Sequence, residues 1–205
     1  LFEDAVYVDR LFRQLWQEQG GIIHGTLKSG IIPEGAKRLV QTTSPPLGEM
    51  VRMINKYSNN VMARQLLLTI GAERGAAPGS TENGVAAIRE WLATQKLDFP
   101  ELVIDNGAGL SRNERISARH MGDLLLAAWR SPVMSELMSS LPVAAVDGTM
   151  EHRLVGSNVA KQAHLKTGSL EGVSSIAGYL LDAKGRRWVV VFVVNHPRAA
   201  AAKKA

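Results

Sequence analysis

The chain has 205 residues, 45% of them hydrophobic and 21% charged, with a net charge of +5 and no cysteine. That supports a sizeable core in one large domain or two small ones, and it excludes a disulfide frame and any Cys-based zinc site. The basic residues are scattered rather than striped between aromatics, so no nucleic-acid partner is expected, and the longest apolar run, 188–194, is too short to span a bilayer.

Val8, Leu11, Phe12, Leu15 and Trp16 fall at helical spacing, and Gly20-Gly21 stops that helix. Residues 22–27 and 37–42 read as strands around a turn containing Pro33-Glu34-Gly35. Ser44 reads as the cap of a helix with Pro45 at its first position and Leu47, Met50, Val51 and Ile54 on its apolar face. Tyr57-Ser58-Asn59-Asn60 interrupts the pattern before a helix over 61–70 that Gly71 should end; serine and asparagine there are good caps. After a loop over 76–80, Ser80 or Thr81 starts a helix with Val85, Ile88 and Leu92 inward. Asp105-Asn106-Gly107-Ala108-Gly109-Leu110-Ser111-Arg112 is a Gly-rich loop without the strand–helix setting of a dinucleotide fingerprint. Ser117 caps a helix carrying Met121, Leu124, Leu125 and Trp129, Ser131-Pro132 opens a shorter one, and Asp147-Gly148-Thr149 reads as a turn.

The segment from His164 to Leu170 reads as a strand in which Gly168 is the first small break. Two further strands, 174–181 and Arg187–Asn195, are joined by a Gly-containing turn at Asp182-Ala183-Lys184-Gly185. Residues 199–205 read as a frayed helix or flexible tail. Helices gather in the middle and strands at the ends, so the expected class is α+β: an antiparallel sheet flanked by helices, with a helical subdomain.

Lys166-Thr167-Gly168 places a cation and a hydroxyl on a strand, and Gly168 leaves room for a ligand backbone. Alone the tripeptide says little. Together with Ser58-Asn59-Asn60 at a helix start it matches the S-x-N and K-T-G pair of β-lactamases and penicillin-binding proteins. The flanks Lys56-Tyr57-Ser58-Asn59-Asn60, Asp105 through Arg112 and Val146-Asp147-Gly148-Thr149 make the chain resemble the low-molecular-mass, class C penicillin-binding proteins, serine D-Ala-D-Ala carboxypeptidases/endopeptidases of the periplasm. The resemblance covers residues 1–205 as the C-terminal part of such a protein.

That resemblance implies catalytic roles for Ser58, Asn60 and Lys166. Ser58 would shuttle a proton toward the leaving amine, and Asn60 would bond the substrate amide and the lysine beside the nucleophile. Lys166 would attract the terminal carboxylate. The hydroxyls of Thr167 and Ser169 would bind that carboxylate, with Gly168 between them, and the Ser169 N–H would supply half of the oxyanion hole. Arg112 and Arg115 would reach an anionic peptide stem. Peptidoglycan stem peptides and β-lactams are the implied ligands, and peripheral membrane association is compatible with them. The five histidines show no H-E-x-x-H or paired spacing, so no metal and no cofactor are expected.

The family's nucleophile sits in S-x-x-K, and no serine of this chain has lysine three residues on. Ser157 comes nearest, but Lys161 follows one residue too late and lies after S-x-N. The chain opens on Leu1 with no signal peptide, so the nucleophile is expected on an upstream segment of a longer parent. The rival expectation is a peptidoglycan- or partner-binding module of the same fold that has lost the nucleophile.

Overall fold

A three-stranded antiparallel sheet in the order β1-β2-β3 carries the end of the chain: β1 is Ala163–Leu170, β2 Val173–Leu181 and β3 Arg187–Asn195. The computed structural model describes residues 3–75 and 77–204. Ala76 of the 76–80 loop and Ala205 of the C-terminal stretch lie outside the described residues. The helices are α1 Asp4–Glu18, α2 Leu47–Tyr57, α3 Asn60–Arg74, α4 Thr81–Thr94, α5 Ala118–Trp129 and α6 Met134–Ser140. Together with the antiparallel sheet they give the expected α+β class.

The chain divides into two compact units, one up to Thr43 and one from Ser44 onward. The first holds α1, whose apolar row Val8, Leu11, Phe12, Leu15 and Trp16 is exposed. Residues 22–27 and 37–42 are not strands. A strand exists only through ladder partners. Here the turn bond from Ala36 N–H to Pro33 O is present, yet Ile31, Ile32, Leu39 and Val40 all face solvent, Leu39 at 93%.

Three helix boundaries depart from expectation. The second helix starts at Leu47 after Pro46 rather than at Pro45, and no side chain caps it. The helix at Ser131-Pro132 begins only at Met134. Gly71 does not end α3. It lies buried inside that helix, and a Cβ there would come within 2.6 Å of Ser80 O and 2.8 Å of Gly84 N. Glycine thus marks the crossing of α3 and α4. Ser80 and Ser117 do cap α4 and α5, accepting from Asn83 N–H and His120 N–H at 3.1 Å each.

In β1 the strand runs through Gly168 to Leu170 and turns at Glu171-Gly172, so β2 begins one residue earlier than its sequence pattern suggests. Ala163 and Leu165 point into a core with Ala144 and Met150, joined by Ile176, Leu180 and Val190. The opposite face meets α5: Tyr179 is buried, donates to Leu125 O at 2.7 Å and packs on Trp129. A second core of Leu92, Phe99 and Leu102 gathers α4 and the 97–104 loop, with Leu124 of α5 against it. Segment 142–144 runs beside β1: Leu165 N–H donates to Pro142 O at 2.8 Å and Ala144 N–H to Ala163 O at 2.9 Å.

Candidate active site

The junction of α2 and α3 is built from Ser58 and Asn59. Ser58 stands at φ 55, ψ 47, a left-handed conformation uncommon for a residue with a Cβ, and it stops α2. Asn59 starts α3, its side chain accepting from Met62 N–H at 3.0 Å. The capping role therefore belongs to Asn59, and the Ser58 hydroxyl is free for other work.

That work is visible across the molecule. The Lys166 ammonium donates to Ser58 Oγ at 3.0 Å and to the Thr167 carbonyl at 2.8 Å. Burial pushes its pKa below the ordinary lysine value, and no carboxylate among the described residues offsets the loss of water. A half-buried cation without an anionic neighbour is a standing attraction for one. Next to it, Thr167 Oγ1 donates to Thr149 Oγ1 at 3.0 Å. Gly168 lies opposite Ser175, whose hydroxyl stands 2.4 Å from where a Cβ would be, so a side chain at 168 would displace it. Ser169 follows, exposed, on the face of the strand that Thr167 uses.

Asn60 opens α3, and its amide donates to the carbonyl of Ala108 in the Gly-rich loop. This leaves its side-chain carbonyl available as an acceptor. The loop bends through Gly107 and Gly109 at φ 70 and 75, and the Ala108 N–H is held by Asn106 Oδ1 at 2.8 Å. Burial raises the Glu114 pKa, with the Asp105 charge adding to it, while backbone N–H groups at Asn106, Gly107 and Asp105 pull the other way.

A cleft of about 1360 Å³ runs under this loop; Gly107 and Gly109 line it, whereas Ser58, Asn60, Lys166 and Thr167 do not. Gly168, Ser169, Arg112 and Arg115 line it, with Met121 and Leu124 of α5 on its floor. Arg112 pairs with Glu171 at 3.1 Å, an exposed contact, and Arg115 donates to the carbonyls of Arg112 and Glu114 at 2.7 and 2.9 Å. Lys166 thus touches Ser58 and the Thr167 carbonyl directly, while the two arginines belong to the cleft lining. Sequence reasoning missed Thr149 and the pair of buried Lys56 with half-buried Asp147. All three lay in the quoted flanking motifs, but nothing in their spacing showed what they touch.

The family model described as D-Ala-D-Ala carboxypeptidase 3 (S13) matches residues 1–205. A D-alanyl-D-alanine carboxypeptidase of Actinomadura sp. (strain R39) is 32% identical over 191 residues, covering 89% of this chain and 35% of that protein. D-alanyl-D-alanine carboxypeptidase DacB of Haemophilus influenzae is 29% identical over 193 residues, covering 93% of this chain and 40% of the relative. The solved structure of penicillin-binding protein 4 (dacB) from Haemophilus influenzae, complexed with a β-lactam, superposes with a TM-score of 0.83 at 26% identity. That match covers 96% of this chain and 46% of the other. The chain therefore spans less than half the length of these relatives, and it belongs to the D-Ala-D-Ala carboxypeptidase 3 (S13) family.

Proposed function

We propose that this member of the S13 family is the C-terminal part of a periplasmic serine D-Ala-D-Ala carboxypeptidase/endopeptidase that acts on peptidoglycan stem peptides and is acylated by β-lactams. The observation that carries the reading is the 3.0 Å contact of Lys166 Nζ with Ser58 Oγ, with Gly168 and Ser169 of the same strand lining the cleft. It is supported by the lack, among the described residues, of a carboxylate to neutralise Lys166, which suits a substrate's terminal carboxylate in that place.

In this reading the parent's S-x-x-K serine gives its proton to the lysine of that motif and attacks the carbonyl carbon of the penultimate D-alanine; that proton later passes to the leaving amine. The new O–C bond pushes electrons onto the carbonyl oxygen, which the Ser169 N–H and a second donor stabilise. Collapse of that oxyanion breaks the C–N bond. The leaving D-alanine takes a proton through Ser58, held by Lys166, and water then hydrolyses the acyl-enzyme. Asn60 would present its carbonyl to the nucleophile's lysine and its amide to the substrate. The Lys166 charge and the Thr167 and Ser169 hydroxyls would hold the carboxylate, with Arg112 and Arg115 reaching charges farther up the stem.

The test is the intact mass of the parent protein after incubation with labelled penicillin. One covalent equivalent on an S-x-x-K serine is the expected result. A parent lacking that motif and taking up no label, yet binding stem peptide, would replace the enzyme with a binding module of the same fold.

A further inference from the structure

Lys56 is the most deeply buried charged side chain close to the site, at 9% exposure, and nothing in the acylation chemistry above uses it. It lies two residues before Ser58 in the last turn of α2. Its ammonium donates to Asp147 at 2.6 and 2.8 Å and to Leu141 O at 2.7 Å. Asp147 also accepts from Val143 N–H at 2.8 Å. Burial alone would raise the Asp147 pKa, but the bonds from Lys56 and Val143 outweigh it and hold the carboxyl below its usual range.

The turn that follows Asp147 presses directly on α2. Gly148 sits at φ 56, and a Cβ there would stand 2.5 Å from the Lys56 carbonyl oxygen. The next residue, Thr149, meets the Thr167 hydroxyl at 3.0 Å. The contacts close a circuit: Ser58 to Lys166, the strand to Thr167, then Thr149, Asp147, Lys56 and back over two residues of chain to Ser58. A hydroxyl can donate and accept at once. When Thr167 turns its proton to a carboxylate, Thr149 can donate to Thr167 in its place.

We propose that Lys56 and Asp147 are positioning residues of this site, with Thr149 as their arm. The ion pair sets the spacing between the α2 terminus, which carries Ser58, and β1, which carries Lys166 and Thr167. This inference rests on the carboxypeptidase reading and adds the device that keeps its two motifs in register. A bare stabilising role is the competing account, because removing Asp147, itself half-buried, would leave the buried Lys56 charge without its partner and cost stability whatever else it does.

The two accounts separate in the parent protein through the variants Lys56→Met, Asp147→Leu, their double, Lys56→Arg and Thr149→Val. Two apolar residues can recover the stability of a buried pair without recovering its geometry. The double variant should therefore regain thermal stability over the single ones while acylating roughly 10- to 100-fold more slowly than wild type, as expected for a site misplaced by about 1 Å. Lys56→Arg, which keeps the charge and can pair with a carboxylate, should recover part of the rate. Thr149→Val should reduce the preference for a substrate with a free terminal carboxylate over its amide, while the rate on the amide changes little. Acylation that simply follows melting temperature across the series, with the carboxylate preference constant, would overturn the positioning role. A wild-type parent that acylates, with Thr167→Val slowed and every Lys56 and Asp147 variant at full rate, would sink this inference and leave the carboxypeptidase reading standing. A wild-type parent that never acylates would remove both.

Discussion

At the scale of single residues, the site turns on two groups whose chemistry is unusual for their surroundings. The Thr167 hydroxyl donates to Thr149 and has to turn its proton away to bind anything else. Replacing it by Val in the parent should slow both acylation by penicillin and release of D-alanine, because one charge-assisted bond to the carboxylate is lost. That loss is worth about 1.5–3 kcal/mol, and kinetics unchanged from wild type would take Thr167 out of the site. Lys166 has a pKa lowered from 10.5 by burial. Acylation should therefore fall on the alkaline side with an apparent pKa below 10.5. Lys166→Arg, charged at every accessible pH, should lack that limb. The sign for stability is opposite. Between the folded pKa and 10.5 the unfolded chain binds more protons, so the contribution of Lys166 to stability grows as pH rises, is complete above 10.5 and is lost as pH falls through the folded value. Ser58, Lys166 and Thr167 were legible in the sequence because their motifs are sparse and specific. Lys56 was not, because a lysine one turn from a helix end is ordinarily a solvated cation, and only Asp147, 91 residues on, makes it a buried one.

At the scale of elements, local patterns were reliable where strands find ladder partners. β2 and β3 were read within a residue because they pair along their whole length, with Ile176, Leu180 and Val190 turned to one core and Tyr179 turned the other way, toward α5. Residues 22–27 and 37–42 hold short apolar pairs, Ile22-Ile23 and Leu39-Val40, and are not strands, since a local run of apolar residues does not supply a ladder partner. Gly71 shows the same limit for helices. Read locally, a glycine after an apolar run is a stop, yet here it is the residue that lets α3 approach α4. Gly71→Ala is therefore a sharp test. Helix propensity alone would make it stabilising by about 1 kcal/mol. The Cβ, however, would meet backbone at 2.6 and 2.8 Å, atoms that cannot rotate away. Overpacking of this kind costs about 1–3 kcal/mol, so a net lower denaturation midpoint is expected. A higher midpoint would mean that the two helices are free to separate.

At the scale of the whole molecule, the chain holds, in the proposed reading, the proton-transfer and carboxylate-binding parts of an acylation site, and it leaves large apolar surfaces uncovered. β3 is an edge strand with unpaired backbone groups, and on one of its faces Trp188 and Phe192 are 49% and 64% exposed. The apolar row of α1 is exposed as well. Surface of this kind invites association, so sedimentation of the isolated chain should show self-association that rises with concentration. The chemistry points to inertness in the same material. An acyl-enzyme needs a serine activated by a neighbouring base, and no serine of this chain has lysine three residues on. Ser58 does touch a lysine, but Lys166 reaches it from β1 rather than from one helical turn on, and the turn that holds Ser58 in the left-handed conformation ties it to α2. Labelled penicillin should accordingly leave residues 1–205 unmodified by mass spectrometry, and label should appear only when the upstream segment is supplied, in one chain or as a nicked complex. A stoichiometric adduct on the isolated chain, mapped to Ser58 or to any other of its serines, would mean that the nucleophile is already present and that Lys166 serves as its base.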